Sequence, residues 1–337
     1  MTSTPLHPQG TFLGANELQL FYQSWYPPSV DRVSSPEATG DASQVSAKKH
    51  GKENGTPPVE SKSAATASIK TNVKGVLAIV HGLGEHSGRY CQIVEGLTAA
   101  GYAVFGFDNQ GHGKSEGQRG HINRWQDYRD NTQAFLSLIR QQEPDTPLFL
   151  MGHSLGGLIV LDYVLRSADD AAFQALNVQG LIVSAPPFQP ASGTASRRRK
   201  VLARLLSGLL PRLSLSMDLS KGGLSRDPSV SDQAAEDPLT HSSVTLRWGS
   251  EILSTLDWVK ANIDRLDLPL LLTHGEADPI ISPSGSEKIF QQVNSPDKTL
   301  KIYPGSYHEP HNDLDADTVV SDLLRWMEIE IASESEE

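Results

Sequence analysis

The chain is poor in several things that would open functional possibilities. Its 337 residues include one cysteine, Cys91, so neither a disulfide framework nor a thiolate metal site can be built from it. Positive charge is also short. Lys and Arg number 29 against 40 Asp and Glu, a net charge of −11, which gives a nucleic-acid partner no electrostatic support. No run approaches the ~20 apolar residues of a spanning helix, and Met1–Gly10 carries no apolar signal core. The expectation is a soluble, cytoplasmic protein, with peripheral membrane contact left open. His81, His86, His121, His153 and His274 lack the spacing of a metal site, so no metal is expected. Cys91 follows Tyr90 in an expected helix and reads as a packed core residue rather than a nucleophile.

What is present is an alternation of strands and helices. Thr11–Leu13 and Leu18–Tyr26 form an expected β-hairpin at a sheet edge, in an N-terminal segment 1–27. Segment 28–70 has no aromatic residue and no sustained apolar period, so it reads as a disordered insertion. Over 71–185, strands at Val76–Val80, Tyr102–Phe107, Leu148–Met151 and Gly180–Ser184 alternate with helices at Tyr90–Ala100, Trp125–Gln142 and after Ser154. Over 269–332, Leu270–Thr273 and Thr299–Tyr303 supply two more strands, and Asp317–Ile331 an amphipathic helix; 333–337 is an acidic tail. This pattern predicts an α/β protein with a mostly parallel sheet covered by helices on both faces. Between them, 186–268 reads as a helical cap: one helix over Arg197–Leu213, another over Trp248–Ile263, and no strand separating them.

The chemistry gathers where strands end. Gly152-His-Ser154-Leu-Gly156 joins an apolar strand to an apolar helix. In such a turn glycines two residues before and after the serine permit a strained backbone that lifts the hydroxyl clear, and the Leu155 N–H is left to bind negative charge. Ser154 is therefore the candidate nucleophile; a glycine-rich turn without chemistry is the plain alternative. A serine needs a base, and the base an orienting carboxylate, in the order serine, acid, histidine for this kind of fold. Downstream, Leu270-Leu-Leu-Thr-His-Gly-Glu-Ala-Asp278 delivers Asp278, with Glu276 as rival acid, and His308 comes directly off the turn after the last strand, ahead of His311. Val80-His-Gly-Leu83-Gly-Glu-His86 follows the first buried strand and offers the Leu83 N–H as a second oxyanion donor. Asp108-Asn-Gln-Gly-His-Gly-Lys-Ser115 reads as a bracing loop, with no proton-transfer role for His112.

Together, His81–Tyr90, Asp108…Ser115, Gly152–Gly157, His274–Asp278 and His308-Glu309 resemble the monoacylglycerol lipase and lysophospholipase group of α/β-hydrolases, within the broader serine aminopeptidase family. The likeness spans Gly75 to about Ile331, the loop His81–Tyr90 and the stretch Asp237-Pro-Leu being its more specific parts. It implies an α/β-hydrolase fold, Ser154 as nucleophile with Asp278 and His308 as partners, and Leu83 and Leu155 at the oxyanion. It also implies a serine esterase acting on single-chain lipid esters with no metal or organic cofactor. A peptidase or thioesterase on the same triad is the alternative, and a non-catalytic hydrolase-like binder a further one. Two departures stand out: the long insertion before Val73, and Leu239-Thr-His-Ser in the cap. With a lipid substrate, Leu205, Leu206, Leu209 and Leu210 would line an acyl tunnel or face membrane beside Arg197–Lys200; packing on the core is the plain alternative.

Overall fold

A computed structural model of the chain describes residues 6–28, 73–191, 207–217 and 223–334. Residues 29–70 of the expected insertion, Arg197–Lys200, Leu205 and Leu206 therefore lie outside the described residues.

Among the described residues, eight strands form one sheet in the order β1-β2-β4-β3-β5-β6-β9-β10. They are β1 Gln9–Leu13, β2 Gln19–Trp25, β3 Val76–Val80, β4 Ala103–Phe107, β5 Leu148–His153, β6 Val178–Ser184, β9 Leu270–Gly275 and β10 Lys298–Tyr303. The hairpin β1–β2 is antiparallel and joins the sheet through β4; from β4 to β10 every pairing is parallel. The near-continuous apolar runs of the inner strands follow from burial on both faces, and the period of two divides them. Ala78 and Val80 of β3, Leu148 and Leu150 of β5 and Leu270 and Leu272 of β9 enter one core. Their neighbours Leu77, Ile79, Phe149, Met151 and Leu271 enter the other.

Helices α2 Gln126–Gln142 and α3 Leu155–Ser167 cover the first core, and α1 Cys91–Ala99 and the terminal helix Ala316–Glu334 the second. Helix α1 turns Ile93, Val94 and Leu97 inward, which leaves Cys91, two residues before Ile93, on the outer side. Cys91 is exposed, contrary to its expected place in the core.

The described part of residues 186–268 differs from the sequence expectation in three respects. First, two short strands lie between the two expected helices: β7 Ser214–Ser216 pairs antiparallel with β8 Ser243–Thr245. Strands of three residues are too short to carry an apolar period for a sequence to reveal. Second, the helical part of the first expected helix ends at Leu209, and Leu213 lies beyond a turn. Third, a helix over Pro228–Glu236, started by the Asp227 side chain accepting from the Ser229 N–H at 2.9 Å, has one buried residue and so no stripe to reveal it. The helix Leu246–Asn262 is started by Thr245, and its Trp248 and Val259 are buried in the first core.

Candidate active site

Every segment singled out for chemistry leaves the carboxyl end of a parallel strand, the edge at which such sheets expose ligand sites. The loop after β3 begins at His81, that after β4 at Asp108, Ser154 follows β5, Asp278 follows β9 and His308 follows β10.

Ser154 stands at φ 51°, ψ −115°, a backbone state disfavoured by ~1–3 kcal/mol. What sustains it is close packing that no side chain could enter. A Cβ on Gly152 would lie 2.3 Å from the Gly156 carbonyl oxygen, and one on Gly156 would lie 1.9 Å from that of Val80. The turn is also pinned by the Ser154 N–H donating to the Ser184 carbonyl at 2.8 Å.

The three expected side chains converge. The Ser154 Oγ is 2.9 Å from His308 Nε2, and His308 Nδ1 is 2.7 Å from Asp278 Oδ2. With Nδ1–H donated to the carboxylate, Nε2 is the acceptor that faces the serine hydroxyl. Asp278 Oδ1 accepts from the Ile280 and Ile281 N–H groups at 2.8 and 2.9 Å. Burial alone would raise the Asp278 carboxyl; His308, His274 and the Ile281 N–H outweigh it and hold it well below the ordinary carboxylate value. Burial would likewise lower His308, but the charge and hydrogen bond of Asp278 prevail and raise it above 6.5. Glu276 is exposed and bonds the Gly305 N–H instead, so it does not meet His308. His311 lies behind the site, stacked on Tyr90 with ring centroids 4.9 Å apart.

The loop after β3 touches the serine: a Cβ on Gly82 would come 3.2 Å from Ser154 Cβ. His81 accepts from the Asn109 N–H through Nε2 at 2.8 Å and donates from Nδ1 to the Gly82 carbonyl at 2.7 Å. That carbonyl shares a rigid peptide plane with the Leu83 N–H, so fixing one fixes the other. Burial pushes His81 down to about 3, which keeps it in this neutral tautomer. The Gly82 N–H in turn donates to Glu85 at 2.6 Å. Asp108 braces the loop by accepting from the Ser87 N–H and Oγ–H and from the Lys114 N–H.

Sequence reasoning missed the supports behind these groups. His274, passed over as one more histidine, places Nε2 3.1 Å from Asp278 Oδ2, while its Nδ1 faces Ser286 Oγ at 2.7 Å. Glu85 lies beside Arg89, which grips Glu309 at 2.8 Å, next to His308. Burial and the Glu309 charge push Glu85 up, and Arg89 helps hold Glu309 down against its own burial. The four-residue spacing of Glu85 and Arg89 was a signal for part of this network; the distant partner Glu309 left none. Among the proposed acyl-contacting residues, Leu209 is 79% and Leu210 53% exposed, so neither lines an enclosed wall.

An eight-stranded, largely parallel sheet with a strained serine turn and an imidazole in reach defines an α/β-hydrolase. Residues 71–315 match the serine aminopeptidase S33 family, and the chain belongs to it. It is 32% identical over 262 residues to the monoglyceride lipase of Rattus norvegicus, covering 77% of this chain and 84% of that protein. It is 31% identical over 283 residues to an uncharacterized abhydrolase domain-containing protein of Dictyostelium discoideum, covering 84% of this chain and 29% of that one. Among solved structures, the monoacylglycerol lipase of Paleococcus ferrophilus matches with a TM-score of 0.67 at 32% identity, over 77% of this chain and 96% of that one.

Proposed function

We propose that this protein hydrolyses carboxylic esters of single-chain lipids, monoacylglycerols first and lysophospholipids second, through Ser154, His308 and Asp278. The observation that carries the chemistry is the unbroken hydrogen-bonded line from Ser154 Oγ through His308 to Asp278, with contacts of 2.9 and 2.7 Å. His308 Nε2 takes the Ser154 proton as Oγ attacks the ester carbonyl, and the Leu83 and Leu155 N–H groups receive the oxyanion. The alcohol departs with the proton from His308. A water activated by the same nitrogen then releases the fatty acid from the acyl-serine. Asp278 fixes the imidazole tautomer and stabilises its cation. Support for a lipid ester comes from the likeness to monoglyceride lipases of rat and Paleococcus. No helix among the described residues is long and apolar enough to cross a membrane. The exposed run Leu209, Leu210, Leu213, Leu215 and Met217 suits peripheral contact with a lipid surface.

The test begins with a fluorophosphonate probe on the folded chain, which should label Ser154 and fail to label Ser154→Ala. Glycerol monoesters, lysophospholipids, acyl thioesters and aminoacyl amides are then assayed side by side. Fastest turnover of glycerol monoesters is expected. Preferred cleavage of amides would favour a peptidase, as the family description suggests, and an unlabelled serine would leave a binding protein.

A further inference from the structure

The loop that bears His308 does not stand by itself. Its three successive amides all donate outside the site: Tyr307 N–H to Asp313 Oδ2 at 2.7 Å, His308 N–H to the Gly223 carbonyl at 3.3 Å, and Glu309 N–H to the Leu224 carbonyl at 2.8 Å. Gly223 and Leu224 lie just ahead of the helix Pro228–Glu236, so the backbone of the base is suspended from the segment that leads into that helix. Arg226, two residues on, closes the arrangement. Its N–H and Nε lie 3.2 and 2.9 Å from Asp313 Oδ1, and its Nη2 reaches Ser306 Oγ at 3.3 Å and also Asp315. The Asp313 side chain is fully buried. Ser306 in turn accepts at its carbonyl from the Ala277 N–H, at 3.0 Å, beside Asp278. A buried carboxylate bonded on one oxygen to Arg226 and on the other to the residue before His308 makes a stiff, charge-assisted joint.

The far end of the same segment grips the other half of the site. After the helix Pro228–Glu236, Asp237 Oδ2 accepts from His86 Nε2–H at 2.8 Å, and the His241 N–H donates to the Gly84 carbonyl at 2.9 Å. Gly84, at φ +76°, has room for no side chain, because its Cβ would lie 2.1 Å from the His241 carbonyl oxygen. Residues 223–241 thus bridge the His308 loop and the loop carrying Leu83.

We propose that Arg226 is a positioning residue: acting through Asp313, it holds the His308 loop to the segment Gly223–Arg226, so that turnover depends on an ion pair that touches neither substrate nor reacting atoms. The inference rests on the catalytic reading of Ser154 and His308. A residue that only stabilised the fold would lower the unfolding temperature and leave each surviving active site unchanged.

The experiment uses the full chain and the variants Arg226→Met, Arg226→Lys and Asp313→Asn. Arg129→Met, which breaks the Arg129–Asp162 pair between α2 and α3, is the control. Fluorophosphonate titration counts active serines. Then kcat and KM for a soluble glycerol monoester, the rate of fluorophosphonate inactivation and the thermal midpoint are measured per titrated site. For Arg226→Met, kcat and the inactivation rate should both fall about tenfold or more, with KM within about twofold. Arg226→Lys should recover part of the loss, and Asp313→Asn should show it in weaker form. Arg129→Met should move only the thermal midpoint. Wild-type kcat per site in all the Arg226 and Asp313 variants overturns the inference, as does a rise confined to KM. Should Arg226→Met not fold, Arg226→Lys and Asp313→Asn decide the matter by the same criteria. A wild-type chain that takes no label sinks the catalytic reading itself, and so is told apart from a failure seen only in the variants.

Discussion

The two sides of His153 hold buried imidazoles in opposite ways. On one side its ring lies 5.0 Å from His308, which has Asp278 at hydrogen-bond distance and is raised above the ordinary 6.5. On the other it lies 4.9 Å from His311, which stacks on Tyr90, finds no hydrogen-bond partner among the described residues and is pushed down to about 4. Burial acts downward on both rings. What separates them is a carboxylate within reach, and that single contact turns a packing group into a base that can hold a proton. Glu309 acts on His311 too, but its hydrogen bonds go to Arg89 and Asn312.

His308→Ala tests the first side and should have the largest effect. With no base at Ser154, ester turnover should drop by at least ~10⁴-fold while the chain stays folded. Single-turnover acylation and a thermal melt check both parts, and a loss no greater than that of a His311 variant would erase the distinction.

Asp278→Asn comes next and sharpens the cause. The neutral imidazole is the form that accepts the serine proton, so the rate should fall as pH drops through the raised pKa of His308, above 6.5. Without the Asp278 charge, burial is opposed only by the more distant Glu309 and Glu85, and the midpoint should move to lower pH. The limiting rate should also fall by ~10²–10⁴-fold, because the amide does not enforce the reactive tautomer. Fluorophosphonate labelling rates across pH 5–9 report both quantities. A midpoint that stays in place would mean that Asp278 orients His308 without tuning it.

This contrast also marks what a sequence can and cannot disclose. The sheet was legible because burial on both faces gives every inner strand an apolar run such as Val76–Val80. Ser154, Asp278 and His308 were legible because each follows such a run at a loop whose residues are close together in the chain. Glycine at 152 and 156 had a steric meaning that the contacts at 2.3 and 1.9 Å bear out. Residues 186–268 were legible only in part: the apolar stripe gave the helix Leu246–Asn262, but β7 and β8 are three residues each and the helix Pro228–Glu236 buries only Ala234. Nor were the supports. Arg226 and Asp313 are 87 residues apart, and Arg89 and Glu309 220 apart. No local pattern encodes pairs so far separated, and His274 and His311 look alike in a string of letters although one bonds Asp278 and the other finds no hydrogen-bond partner among the described residues.

His311→Phe should produce the smallest change and breaks the comparison most directly if it does not. The His311 ring contributes a stack on Tyr90, at an interplanar angle of 5°, and an edge contact with His153. Phenylalanine keeps both contacts and removes two buried nitrogens that have no hydrogen-bond partner among the described residues. The gain from deleting an unpaired polar group is offset by the strain of the larger ring, so stability should stay within ~1 kcal/mol. Per-site kcat should stay within about threefold, since no proton moves through this ring in the proposed cycle. Its pH midpoint should be that of the parent, because His311 is neutral across the range in which His308 titrates. Thermal unfolding and the same labelling profile measure all three. A loss approaching that of His308→Ala would mean that the rear imidazole takes part in holding the base, and the two sides of His153 would have to be treated as one site.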